Sequence, residues 1–143
     1  MKTLTLPIYE HILKYYNSLF EELQKKYQIT QIEIDILAFL ANNPQYHYAQ
    51  EIVDIRRISK AHVSIGIEKL VKRGYLNRTP NPNNRRCNLL EITKEATVVI
   101  GEIQMIQSNY KKQLYQGIEE QEKELYDQIL MKMYQNIGGK VSQ

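Results

Sequence analysis

Arg85 and Arg86 follow a cluster of turn formers, Pro80, Asn81, Pro82, Asn83 and Asn84, that separates two short extended segments, residues 75–78 and 87–92. This is the signature of a hairpin with a longer loop, and it would carry two guanidinium groups at its tip. One of them suits a groove and the other the phosphates; sequence does not choose between them. Upstream, Lys60, His62 and Ser64 fall in the first two turns of a helix that Ser59 would cap. A helix lying in a major groove makes its base and phosphate contacts from that position, and a helix N-terminus itself favours phosphate. Ile65 offers no more than contact with a thymine methyl. Arg56, Arg57, Lys72, Arg73 and Arg78 read as phosphate partners or as plain solvated charges.

Charge sharpens this reading. The 143-residue chain has a formal net charge of only +3, but residues 56–86 hold nine Lys and Arg against Glu68 alone, a local balance of +8 that leaves the remainder at −5. A basic face on an otherwise acidic body is what a protein docking on a polyanion in one orientation requires. A charge run by itself would more simply be a solvated helix and loop. The coincidence of a capped helix, a glycine stop and an arginine-bearing hairpin in one window argues for the polyanion.

Other chemistries lack their residues. His11, His47 and His62 are scattered singly and, with Cys87, show no metal-ligand spacing. No Gly-rich phosphate loop, nucleophile elbow or paired-carboxylate motif is present, which argues against an enzyme and against a cofactor. One cysteine excludes an intrachain disulfide and agrees with a reducing cytoplasm. A redox role for Cys87, through thiolate stabilisation by Arg85 and Arg86, has little to support it. The N-terminus breaks its apolar run with Pro7, Glu10, His11 and Lys14, and no stretch approaches the roughly twenty apolar residues of a membrane span. A cytoplasmic protein is expected.

The elements that must position these side chains follow from periodicity. Tyr9, Ile12, Leu13, Tyr16, Leu19, Phe20 and Leu23 predict one long first helix over about residues 6–27. Thr30 and Glu33 form a capping box for a second helix, apolar on more than one side and therefore central. Residues 48–56 read as a short third helix with Ala49, Ile52 and Val53 inward; Tyr48 and Gln50 would lie where it crosses a DNA backbone. The helix from Ser59 turns Val63, Ile67, Leu70 and Val71 inward and stops at Gly74, so the third and fourth helices make a helix-turn-helix pair. Thr93 would cap a fifth helix to about Gln116. A sixth covers residues 119–137, acidic in its first turn.

The segment SKAHVSIGIEKLVKRGYLNR, followed by PNPNNRR and LLEIT, resembles MarR-family transcriptional regulators, in outline over nearly the whole chain. The resemblance implies a mainly α fold with a small β-hairpin wing: a winged helix-turn-helix region at 30–92, with long dimerisation helices at 1–28 and 94–143. It implies a recognition helix at 59–73 in the major groove and a wing at 77–88 whose arginine, here Arg86, enters the minor groove. Family members usually carry an aspartate two residues before that arginine; Asn84 stands there, and a wing salt bridge is lost. They often carry a basic or polar residue where Ile65 stands and a large apolar one at Gly66. Gly66 costs its helix about 1 kcal/mol relative to Ala, which close approach of a neighbouring helix would explain.

The apolar stripes of the terminal helices need a partner surface. A second copy is the economical answer, with Ile12, Leu13, Leu125, Ile129 and Met133 in the interface of a homodimer on a two-fold-symmetric double-stranded DNA site; the alternative is that these helices pack on one another within the monomer. The resemblance also allows a small aromatic or anionic effector between the dimer helices and the winged region. Tyr16 and Tyr110, among eleven tyrosines, would line that space, although tyrosines at helical spacing are more often core or interface. Two other functional classes fit the same chain: a protein-interaction module with an incidental basic face, and a small-molecule carrier.

Overall fold

A computed structural model describes residues 5–140, the side chain of Arg85 excepted, and the chain divides into two compact units, Met1–Asn109 and Tyr110–Gln143. The elements are α1 (Thr5–Ser18), α2 (Glu21–Tyr27), α3 (Gln31–Asn42), α4 (Ala49–Arg56), α5 (Lys60–Lys72), β1 (Leu76–Asn81), β2 (Asn84–Ile92), a 3-10 turn at Lys94–Ala96, α6 (Thr97–Leu114) and α7 (Glu120–Asn136). The fold is mainly α with one antiparallel hairpin, as expected.

The core of the first unit forms around α3, which buries Glu33, Ile34, Ile36, Leu37, Ala38, Phe39 and Leu40. Its start is the expected capping box: the Thr30 hydroxyl accepts from the Glu33 N–H at 3.2 Å, and the Glu33 carboxylate accepts from the Thr30 N–H at 2.5 Å. Phe20 and Leu23, Ile52 of α4, Val63, Ile67 and Leu70 of α5, Leu76 and Leu90 of the hairpin, and Val99 and Ile103 of α6 close over it. Each fully buried aliphatic side chain of this kind stabilises by roughly 1.5–3 kcal/mol. That burial fixes which face of α5 is left outward.

Two expectations need correction. The long first helix is two helices, because the Leu19 and Phe20 N–H groups bond back three residues to Tyr16 and Asn17, tightening the turn. Phe20 is thereby turned fully into the core, with the Tyr16 ring edge-on at 5.0 Å. The helix after the wing likewise opens as a 3-10 turn. Thr93 does not cap it with its side chain; the Thr93 hydroxyl instead donates to the Gly74 carbonyl, closing the base of the hairpin.

The second unit, Tyr110–Gln143, contains the helix α7. This helix starts with the Glu122 carboxylate accepting from the Glu119 N–H at 2.8 Å, and the Lys123 ammonium lies 4.8 Å from the centre of the Tyr115 ring. Neither α1 nor α7 buries any residue.

Candidate nucleic-acid interface

Ser59 opens α5 as its N-cap, accepting from the His62 N–H at 3.2 Å. Val63, Gly66, Ile67 and Leu70 are buried and Val71 is half-buried, so Lys60, His62, Ser64, Ile65, Lys69 and Lys72 are left exposed. Gly66 has a packing reason. A Cβ there would stand 2.6 Å from Ile36 Cδ1 and 3.3 Å from Ile32 Cγ2, so α3 crosses α5 closely at this point. Gly74 takes φ +77°, the left-handed conformation that lets the chain leave the helix directly into β1.

The hairpin is tighter than its sequence suggests. Strand pairing runs regularly from Leu76 opposite Ile92 to Pro80 opposite Asn88, then jumps to Asn81 opposite Asn84. Only Pro82 and Asn83 form the turn. Arg85, Arg86 and Cys87 are therefore the unmatched residues of a bulge on β2 rather than the loop itself. Pro80 is tolerated within β1 because a two-stranded ribbon leaves edge positions where no N–H is needed. Asparagine side chains shape the rest. Asn81 Oδ1 accepts from the Asn83 N–H at 3.0 Å, Asn84 Oδ1 accepts from the Arg86 N–H at 3.1 Å, and Asn81 Nδ2 donates to the Tyr48 hydroxyl at 3.1 Å. Asn84 thus holds the bulge through a local backbone hydrogen bond, and Tyr48 ties the start of α4 to the hairpin.

These elements enclose a groove of about 410 Å³ into which Tyr48, Gln50, Lys60, Ser64, Arg78 and Arg86 project. The half-buried Cys87 also lines it. The sequence places these residues on three separate elements; the fold brings them to one concavity. The Arg85 side chain lies outside the described residues.

The remaining cations divide. Arg73 does not simply extend into solvent: it donates to the Tyr27 carbonyl at 3.0 Å and to the Gln28 carbonyl, and its Nε lies 3.4 Å from the carboxylate of Glu33, which is 1% exposed. Arg56 pairs with Asp35 at 3.4 Å; burial pushes the Asp35 carboxyl above its ordinary value, while Gln31 and Arg56 oppose that shift. Arg78 pairs with Glu68 at 3.0 Å, which neutralises the only carboxylate of the basic window. Arg57 ends α4 with a positive φ of 58°. Lys60, Lys69, Lys72 and Arg86 form no ion pair with any described residue. Sequence could not reveal the three pairings, because Glu33, Asp35 and Glu68 belong to helices packed only in the fold.

The residues expected at a dimer interface are on open helix faces. Leu13 is 60% exposed, Leu125 57%, Ile129 47% and Met133 45%, while Ile12 is half-buried. Tyr16 is held by packing on Phe20 and by the Gln107 amide donating to its hydroxyl at 3.0 Å, and its burial raises the phenol pKa. Tyr110 belongs to the second unit. Among the described residues no three His, Cys, Asp or Glu are grouped to hold a metal, and no helix is long and apolar enough to cross a membrane.

Residues 27–86 match the family model described as MarR family. No curated protein matches the chain. Among solved structures, a MarR-family transcriptional regulator from Silicibacter pomeroyi superposes with a TM-score of 0.81 at 17% identity, covering 100% of this chain and 98% of that one. A putative MarR-family regulator from Listeria monocytogenes complexed with 26mer DNA gives 0.79 at 22% identity, covering 96% and 97%. BpsR from Bordetella bronchiseptica, whose DNA binding is regulated by 6-hydroxynicotinic acid, gives 0.68 at 19% identity, covering 88% and 95%.

Proposed function

We infer that this chain, whose winged-helix segment is of the MarR family, is a transcriptional regulator that binds double-stranded DNA as a homodimer and performs no catalysis. The observation that carries the reading is the shared groove, where Lys60 and Ser64 of α5 meet Arg78 and Arg86 of the hairpin. In this reading α5 enters the major groove, with His62, Lys60 and Ser64 toward bases and phosphates. Arg86 reaches the minor groove from the β2 bulge, and Arg85 takes the other of the two roles, groove or phosphate. Lys72 and Lys69 meet the backbone, with Arg57 beside the turn; Arg78 lines the groove while paired with Glu68, whereas Arg56 and Arg73 act chiefly through their carboxylate partners.

The second copy is assigned to the open faces of α1 and α7, around Leu13, Leu125, Ile129 and Met133. Their exposure supports it, and a two-fold dimer presents two recognition helices to a two-fold site about one DNA turn, roughly 34 Å, apart. A small change in dimer angle would then weaken both half-sites together. An aromatic or anionic effector acting this way fits the neighbour regulated by 6-hydroxynicotinic acid.

Selection of bound duplexes from a random pool, followed by titration of the winner at two salt concentrations, tests the reading. The expected outcome is a two-fold-symmetric site whose affinity falls by about 10³–10⁵ between 50 and 200 mM salt for six to ten phosphate contacts. Absence of any enriched sequence would leave a protein-interaction module or a small-molecule carrier in its place.

A further inference from the structure

α5 carries one large apolar side chain that the core does not use. Val63, Ile67 and Leu70 are buried at 1%, 4% and 0%, whereas Ile65 is 53% exposed. Residue 65 is two positions from both 63 and 67, about 200° around the helix from each, so it stands near the middle of the outward face. Ala61, four residues earlier on that face, is also exposed. Lys69 and Lys72 continue the face toward the helix C-terminus, and Glu68 is drawn to Arg78 at 3.0 Å. The outward row is thus apolar in its first half and cationic in its second.

We propose that Ile65, flanked by Ala61, is a specificity determinant that reads a pyrimidine C5-methyl group, that of thymine, on the floor of the major groove. The inference rests on the DNA-binding reading above and deepens it. An alkyl side chain can neither donate nor accept a hydrogen bond, and the one major-groove feature it complements is the thymine methyl. An exocyclic amine or a carbonyl held against Ile65 would lose its water without replacement, so other bases are disfavoured as thymine is favoured. The lysines farther along the row meet the phosphate walls while the apolar half lies over the base edges. Half-sites should therefore contain a fixed thymine.

The test uses the full-length chain and its selected duplex. Each thymine is replaced in turn by deoxyuridine, which lacks only the methyl group. At one position per half-site, binding should weaken about three- to fivefold, the worth of one buried methyl. Ile65→Ala should bind the thymine and deoxyuridine duplexes equally, and 5-methylcytosine at that position should recover part of the wild-type affinity relative to cytosine. Circular dichroism and melting of Ile65→Ala should match wild type, because the side chain packs in no core. An enriched site indifferent to every deoxyuridine, or a methyl effect that persists in Ile65→Ala, overturns this inference and leaves the regulator reading standing. Failure to enrich any sequence overturns both.

Discussion

At the scale of single residues, Gly66 shows how a helix can be weakened locally to gain packing. Gly66→Ala should recover about 1 kcal/mol of helix propensity. It should lose more, because the new Cβ would stand 2.6 Å from Ile36 Cδ1 and 3.3 Å from Ile32 Cγ2, and Ile36 is fully buried, so its side chain can yield only by pressing on close-packed neighbours. A net destabilisation of about 1–2 kcal/mol in urea denaturation is expected, and Ile36→Val, which removes that methyl, should relieve it when combined with Gly66→Ala. Additive losses in the double variant would refute the close approach. Arg86 is the complementary case, a residue with no described ionic partner and a place at the groove. Arg86→Ala should weaken binding to the selected duplex by about 1–3 kcal/mol with melting temperature unchanged, and unaltered affinity would remove it from the interface.

At the scale of elements, what was legible in the sequence is what local chemistry decides. Thr30 with Glu33, Ser59 and Gly74 punctuate helices through contacts three or four residues apart, so their roles could be read directly. The break at Leu19 could not, because Phe20 continues the helical period while the core pulls it out of register. The β2 bulge depends on cross-strand pairing, and the partners of Arg73 lie about 40 residues away, so neither leaves a local mark. Arg73 joins the end of α5 to the α2–α3 turn, and its removal would leave the buried Glu33 carboxylate with its Thr30 N–H hydrogen bond but without its cationic partner. Arg73→Ala should cost about 1–3 kcal/mol of stability. The slope of DNA affinity against salt should not change, whereas loss of a phosphate contact would reduce it by about 1. Lys26 and Glu102, 2.5 Å apart, tie α2 to α6 with a pH dependence. The hydrogen bond from Lys26 lowers the Glu102 pKa below 4.5, and the same bond raises the Lys26 pKa above 10.5. The Glu102 contribution is therefore complete above pH 4.5 and lost as the pH falls through the lowered folded value; the Lys26 contribution is lost only as the pH rises through its raised one. Denaturation of wild type and Glu102→Gln should differ near neutral pH and converge in acid. A constant difference down to about pH 3 would remove the ion pair from the account.

At the scale of the whole molecule, the decisive quantity is how many recognition helices one particle presents. The open apolar faces of α1 and α7 set that number in the dimer reading, and their exposure makes them separable from folding: Leu13 and Leu125 touch water over more than half of their surface. Leu13→Asp or Leu125→Asp should leave helix content unchanged while placing a charge that a second copy would have to bury unpaired, at several kcal/mol per site. Sedimentation should then show monomers. Affinity for a duplex bearing one half-site should match wild-type half-site affinity, because α5 and the wing are untouched. Affinity for the complete site should fall toward that same value, since the second contact is no longer made at the effective concentration that a shared particle supplies. The salt slope on the complete site should fall by about half, reflecting half the phosphates neutralised. A monomeric variant that kept full affinity and full salt slope on the complete site would show that each copy carries its own specificity, and the geometric mechanism of regulation through dimer angle would have no basis.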